Sequence, residues 1–487
     1  MPKAVLPVAN VPLLAYPLRL LLSAGVRAIT VVAAPGEGLA AIWGAITAVV
    51  KDPAIEKSMQ GNRPTIDMVA VAAAGTVDAV RAVVMAGNHG GDGDDDSKGG
   101  RGNGGGGDSG ATFEGITLVV AADLFADRVD GVVALLRAHV AGGTDLTALY
   151  YERGGGGGAD TAGLGAAGRG GGGGGGGGGG KKTKGSGGGG SAPPPAPLGD
   201  EFVVIAADGP PRPPPWTAPL VYVGSSTDGD ADGLLRVPPR VLATVAASNG
   251  GSNGSGGVTL RRDLSDAHLY ALSPALVARL ATARPGTSVK YDFLRWVTGA
   301  AAAEAGITAA AVAASGVGVR VNNLAAYTAF NKLLSGGAGG AWLRLYPPPE
   351  TLLPWVRGER FHVGDSLLAM WVTVGDRGSV KKSVLGEGVA VGEGSKVASS
   401  VLMQGVRVGV VDDAADDAAD GNADADNGDH GGAHLTGCLV GADAVIGRGV
   451  VLKDCVVAPG VTVLDSGTGE VYDGRGAGGG LLDDDFL

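Results

Sequence analysis

Downstream of about residue 361 the chain repeats every sixth residue. Leu439, Val445, Val451, Val457 and Val463 are six apart, as are Val440, Ile446, Leu452, Ala458 and Leu464; an earlier arm, Leu385, Val391, Val397 and Met403, has the same step. A helix repeats about every 3.6 residues and a strand every ~2, so neither produces this spacing. With "VGEG", "IGRG" and "VAPG" as punctuation, it predicts hexapeptide coils, short strands that turn at glycine and stack on the coil before: a β-helix. The unit runs over 361–465, with an acidic insertion at 410–434 and an acidic tail at 466–487. Cys455 shares its six-residue column with Gly437, which puts Cys438 one residue out of register and facing the other way.

The first 345 residues read differently. "AITVVAA", "TIDMVAVAAA" and "GITLVVAADLFAD" are strand candidates, and "TVDAVRAVVMAG" and "VDGVVALLRAHVAGG" have helical spacing. This alternation predicts an α/β domain with a mostly parallel sheet covered by helices on both faces. It resumes with "DEFVVIAADG", "PLVYVG", "LSDAHLYALSPALVARL" and "VKYDFLRWVTG" and continues to about residue 345. The 91 glycines concentrate in blocks at 87–110, 154–199 and 247–257. Such tracts bury too little apolar surface to offset their chain entropy and read as flexible insertions.

The net charge of -11 is largely local, since "VVDDAADDAADGNADADNGDH" alone holds eight Asp. The one dense basic cluster, "KKTK", is embedded in glycine, and no basic stripe for nucleic acid stands out. Two cysteines in a chain this long imply a reducing compartment without a disulfide framework. The longest apolar run, "LAAIWGAITAVV", has 12 residues, short of the roughly 18 of a membrane span. The opening "PKAVLPVANVPLLAYPLRLLLSAGV" carries prolines at 2, 7, 12 and 17 and Arg19, so it does not read as a secretory signal. It predicts an extended piece at Ala4–Val8, a turn at "ANVP" and a helix stopped by Gly25.

That opening, with "VVAADLFAD", "LSDAHLYALS", "VRVNNLAAYTAFNKLL" and the two hexapeptide arms, resembles the sugar-1-phosphate nucleotidyltransferases and their relatives in translation. The likeness is greatest to the gamma subunits of eukaryotic translation initiation factor 2B. It implies a nucleotidyltransferase-like, Rossmann-type mixed sheet followed by a left-handed β-helix. The enzymes of this group have a glycine-rich phosphate loop and its strand just upstream of the Pro-Lys; here both are missing before Met1-Pro2-Lys3. Lys3 stands where the enzymes meet substrate, and Asp123 matches their first Mg²⁺ ligand. Aligning Tyr327 and Asn331 with the enzymes' "WxDxGxxxxYxxAN" puts Arg320 where the second carboxylate belongs, and a guanidinium cannot ligate Mg²⁺. His268, in "DAHLY", replaces a glycine that lets the sugar approach.

These departures imply a domain that is not catalytic and holds no cofactor or metal. Lys3 and Asp123 are then vestigial nucleotide-binding residues. The resemblance further implies a cytosolic subunit of a guanine nucleotide exchange complex. Its partners would be the catalytic epsilon subunit and the other subunits of factor 2B, with initiation factor 2 as substrate of the complex and no membrane or direct nucleic-acid contact. No segment after the hexapeptides matches the epsilon subunit's catalytic helical domain, which favours gamma. The alternative is an active sugar-1-phosphate nucleotidyltransferase, of the mannose-1-phosphate guanylyltransferase or glucose-1-phosphate adenylyltransferase type. His430 and His434, spaced i, i+4 in a glycine-rich loop, and His362, near the start of the β-helix, are weak metal or acyltransfer signals. There is no Walker sequence.

Overall fold

A computed structural model describes residues 2–36, 38–58, 64–73, 75–89, 115–152, 201–206, 213–225, 258–283, 286–335, 362–410 and 431–474. The glycine blocks lie outside these, except that residues 87–89, predicted as insertion, close a helix. The "KKTK" cluster and His430 also fall outside.

The chain starts with a 3-10 turn at Lys3–Val5 where an extended piece is expected, then enters a hairpin of β1 (Pro7–Val8) and β2 (Val11–Pro12). Ala9 and Asn10 both take positive φ, 49° and 63°, the geometry of a tight two-residue turn. Helix α1 (Ala15–Ser23) follows and stops before Gly25 at φ +90°. Next come β3 (Ala28–Ala33), α2 (Leu39–Val50), α3 (Pro53–Ser58), β4 (Thr65–Ala70) and α4 (Thr76–His89). β3 and β4 pair in parallel as a sheet of two.

The segment expected as one strand, "GITLVVAADLFAD", breaks into β5 (Thr117–Val120) and β6 (Leu124–Ala126), with Asp123 in the break. Then follow α5 (Asp130–Gly142), β7 (Leu146–Glu152), β8 (Glu201–Ala206), β9 (Trp216–Ser225), β10 (Val258–Arg261) and β11 (Leu264–Leu272). The domain ends with α6 (Pro274–Thr282), α7 (Leu294–Val297), α8 (Ala300–Glu304), β12 (Ala309–Ala314), β13 (Gly318–Arg320) and α9 (Leu324–Ser335). Seven strands form one sheet in the order β10-β8-β9-β12-β7-β11-β5. Only β12 and β7 are parallel; the other five pairings are antiparallel. The mixed sheet is as expected, but most of its pairings are antiparallel where a mostly parallel sheet was predicted. β8 to β11 follow one another with no described helix between them, and strands in series pair antiparallel.

From His362–Gly364 to Val471–Tyr472 short parallel strands stack into three faces, the left-handed β-helix. Two strands, Gly467–Thr468 and Val471–Tyr472, extend the stack past residue 465 into the expected tail. The coil repeats every 17 residues, as in Val380 opposite Val397 and Leu435 opposite Leu452. Strands of three, two and two residues are joined by two corners of four residues and one of two. That short corner makes the inward step six, six, five, so the uniform six-residue columns mix faces. Leu439, Val445 and Val451 point outward, whereas Val457 and Val463 point in and are buried.

The register corrects the cysteine reading. Leu439 opposes Val456, so Cys438 and Cys455 share a column, and both are buried. They continue a ladder in the short corner, where the Ser383 N–H donates to Ser366 Oγ, Ser400 N–H to Ser383 Oγ and Cys438 N–H to Ser400 Oγ, at 3.2, 3.2 and 3.1 Å. Each Sγ donates to a carbonyl two residues back, and burial pushes the Cys438 thiol up to about 11.

One face of the β-helix docks on the α/β domain. Its outward column is Leu367, Val384, Val401, Leu439, Val456 and Val471; Val384, Val401 and Leu439 are buried in a core cluster with Val8, Val11, Phe330 and Leu334. Asn10 Nδ2 donates to the Leu385 carbonyl, 3.1 Å away. The two domains thus share one continuous core.

Candidate functional site

β5 ends at Val120, and the chain turns through Ala121 before Asp123. β13 pairs with β6 so that Arg320 faces Leu124, which sets the Arg320 side chain beside Asp123. The guanidinium clamps the carboxylate with two parallel bonds, Nε to Oδ1 and Nη2 to Oδ2, both 2.8 Å. Lys3 Nζ lies 3.1 Å from the same Oδ2. Burial works to raise the Asp123 pKa, but Arg320 and Lys3 outweigh it and hold the carboxyl below its usual value.

His268 completes the group. A bulge in β11 between Asp266 and Tyr270 places it at φ +50°, a conformation that glycine adopts freely and histidine does not. Asp266 fixes the bulge: Oδ1 accepts the His268 N–H at 2.7 Å, and Oδ2 accepts the Tyr270 hydroxyl at 2.6 Å. The His268 carbonyl accepts the Ala121 N–H at 3.1 Å, tying the bulge to the turn that carries Asp123. Arg320 Nη1 lies 3.1 and 3.2 Å from the two ring nitrogens, one of which accepts from it. Burial, joined by the positive charges of Arg320 and Lys290 and opposed by Asp266 and Asp123, lowers the His268 pKa to about 4. A neutral imidazole is the form that can accept from a guanidinium.

The four residues singled out in the sequence, Lys3, Asp123, His268 and Arg320, therefore meet in one network. Asp266, Tyr270 and Lys290 were missed. Asp266 begins "DAHLY", but an Asx-type bond to the N–H two residues on can be made to any residue except proline, so the sequence held no specific signal for the bulge. Tyr327 and Asn331 have structural roles. The Tyr327 hydroxyl donates to the Pro7 carbonyl at 2.6 Å, and Asn331 Oδ1 accepts the Ala9 N–H at 2.8 Å, fastening α9 to the first hairpin. His434 lies on the outward side of a β-helix strand.

The donor set does not fit a divalent cation. Such an ion takes carboxylate oxygens free of other cations, and both Asp123 oxygens are engaged by Arg320 and Lys3. Among the described residues no three His, Cys, Asp or Glu side chains converge to hold a metal.

Residues 348–414 match the family model described as the GlmU-like C-terminal hexapeptide. The C-terminal domain is a hexapeptide-repeat β-helix. Its position behind a Rossmann-like sheet is consistent with a relative of the nucleotidyltransferases. No curated protein matches the chain. Among the described residues no helix is long and apolar enough to cross a membrane.

The network has a pH signature. His268 titrates near 6.5 when unfolded and near 4 when folded, so between these values the unfolded chain binds the extra proton and stability falls as pH drops. Relative to His268→Gln, the wild type is expected to lose up to roughly 3 kcal/mol between pH 6.5 and 4, measured by urea unfolding across that range. Parallel pH profiles for the two proteins would contradict the buried neutral imidazole.

Proposed function

We propose that the chain is a non-catalytic, cytosolic subunit of the guanine nucleotide exchange complex that acts on eukaryotic translation initiation factor 2, a gamma-type subunit of factor 2B. The observation that carries this reading is the bidentate clamp of Arg320 on Asp123. Where a nucleotidyltransferase needs two carboxylates around a cation, this domain has one carboxylate already neutralised by a fixed guanidinium. With the cation replaced by a side chain, the fold is left with assembly. The β-helix, sharing a core with the α/β domain, makes a rigid body for pairing with a homologous catalytic epsilon subunit.

Co-expression with the cognate epsilon subunit tests this. The expected result is a stable complex that releases GDP from initiation factor 2 faster than epsilon alone. Absence of a complex, with no effect on GDP release, would sink the reading. Mg²⁺-dependent pyrophosphate release with a sugar 1-phosphate, abolished by Asp123→Ala, would instead establish an active nucleotidyltransferase.

A further inference from the structure

The three faces of the β-helix differ in charge. One is covered by the α/β domain. Another is built from Ser379–Lys381, Lys396–Ala398, His434–Thr436 and Val451–Lys453; the middle residue of each strand is buried and the flanking residues turn outward. Register sorts the flanks into two columns, Ser379, Lys396, His434 and Val451 in one, Lys381, Ala398, Thr436 and Lys453 in the other. Neither column holds an Asp or Glu. Lys381, Lys396 and Lys453 are exposed, and none of them has an ion-pair partner among the described residues. The corners beside this face mix signs, with Asp365, Lys382 and Asp454 on one side and Arg377 paired to Glu393 at 2.6 Å on the other. The unbalanced positive charge therefore sits on the strands.

The chain's most acidic stretch is rooted at the edge of the same face. Strand Arg407–Val408 ends at Gly409, residues 411–430 lie outside the described residues, and the chain returns at Gly431 to enter His434–Thr436, between the strands of Lys396 and Lys453. Exit and return are side by side. Ser395 Oγ fills the space that a Cβ on Gly409 would take, and the Ala433 N–H donates to that oxygen at 3.1 Å. Ser395 immediately precedes Lys396. Between the two roots the sequence carries eight Asp and no Lys or Arg. Asp412, Asp416 and Asp420 step by four residues, as do Asp413 and Asp417. Four extended residues span about 13 to 14 Å. Lys381 and Lys453 are three coils apart in one column, and three steps between parallel strands also cover about 14 Å. Neighbouring side chains of an extended chain point to opposite sides, so paired aspartates suit lysines in two columns.

We propose that the lysine-bearing face is a docking surface and that its occupant is the aspartate run 412–429 of the same chain. Charge complementarity, the matching step and the position of the roots all select this occupant. An exposed Lys–Asp pair contributes little by itself. Fastened at both ends beside Lys396, however, the run meets the face at an effective concentration on the order of millimolar, so that several pairs form together. Docked there, it neutralises the face and keeps other polyanions from it.

Carbodiimide coupling, which joins a carboxylate to an amine in contact with it, reads the docking on the full chain. At low salt, peptide mapping is expected to find links from the run to Lys381, Lys396 and Lys453 at least about fivefold more often than to Lys51 and Lys57, exposed lysines of the α/β domain. The excess should vanish at about 0.5 M salt, where the Debye length falls to roughly 4 Å. Replacing Lys381→Gln and Lys453→Gln together should lower coupling at the untouched Lys396 by at least about threefold, because the run then loses two of its holds. Links that are absent, as frequent to Lys51 and Lys57, or indifferent to salt overturn the proposal, and so does coupling at Lys396 that the double variant leaves unchanged. In a mixture of isotopically light and heavy chains the links should fall within one chain; links between chains would make the occupant a second copy and overturn it too.

Discussion

Arg320→Ala is expected to destabilise the chain by about 3 kcal/mol. Asp123 is 6 % exposed and accepts both guanidinium bonds; deleting the guanidinium leaves a buried carboxylate with Lys3, a partly exposed ammonium, as its remaining ion-pair partner among the described residues. The larger part of the cost is this uncompensated charge, not the worth of the pair, because an ion pair assembled from water gains little net free energy. The double variant Asp123→Asn, Arg320→Met removes the charge with its partner and should recover most of the loss. Urea unfolding of the wild type, the two singles and the double supplies the cycle. A loss below about 0.5 kcal/mol for Arg320→Ala, the range of an ordinary surface change, would mean that Asp123 is solvated and that the clamp does not close the site.

Leu439→Asp should have an effect at least as large, about 3 kcal/mol or more, because it sets a carboxylate in a dry core without a partner. Leu439 points outward from its coil and is 1 % exposed, since the α/β domain covers that face. Val451 also points outward from its strand, on another face, and is 50 % exposed. Val451→Asp should change stability by no more than about 1 kcal/mol. Thermal unfolding of both variants, with limited proteolysis to detect separation of the domains, checks the contrast. Equal, small effects would show that the face bearing Leu439 is not a domain interface.

The contrast shows how much the repeat pattern carries. Face by face, the outward residues are Ser379, Lys396 and His434 on one side, Thr373, Ala390 and Arg407 on another, and Leu367, Val384, Val401 and Leu439 on the third. Apolar outward residues thus concentrate on the third face, but Val445-Ile446 and Val451-Leu452 put doubly apolar pairs on the other two, so the pairs alone do not single out the covered face. The column assignment was not legible, because glycines punctuate most of the four-residue corners while the two-residue corner, mostly without glycine, removes one position from each turn. Only the pairing register resolves that slip, and with it the stacking of Cys438 on Cys455.

The site was legible in part. Arg320 and Asp123 are 197 residues apart, and only a resemblance could connect them before the fold did. The conformation of His268 was hidden because positive φ at a non-glycine residue has no reliable local signal; here it is imposed by Asp266 and by the Ala121 N–H bond. Periodicity and composition decided the fold class, the β-helix and the position of the glycine-rich blocks, because side-chain spacing follows directly from backbone geometry. The antiparallel majority of the sheet, the shared core and the neutralised carboxylate were decided in three dimensions, because strand pairing, domain docking and charge compensation depend on residues far apart in sequence.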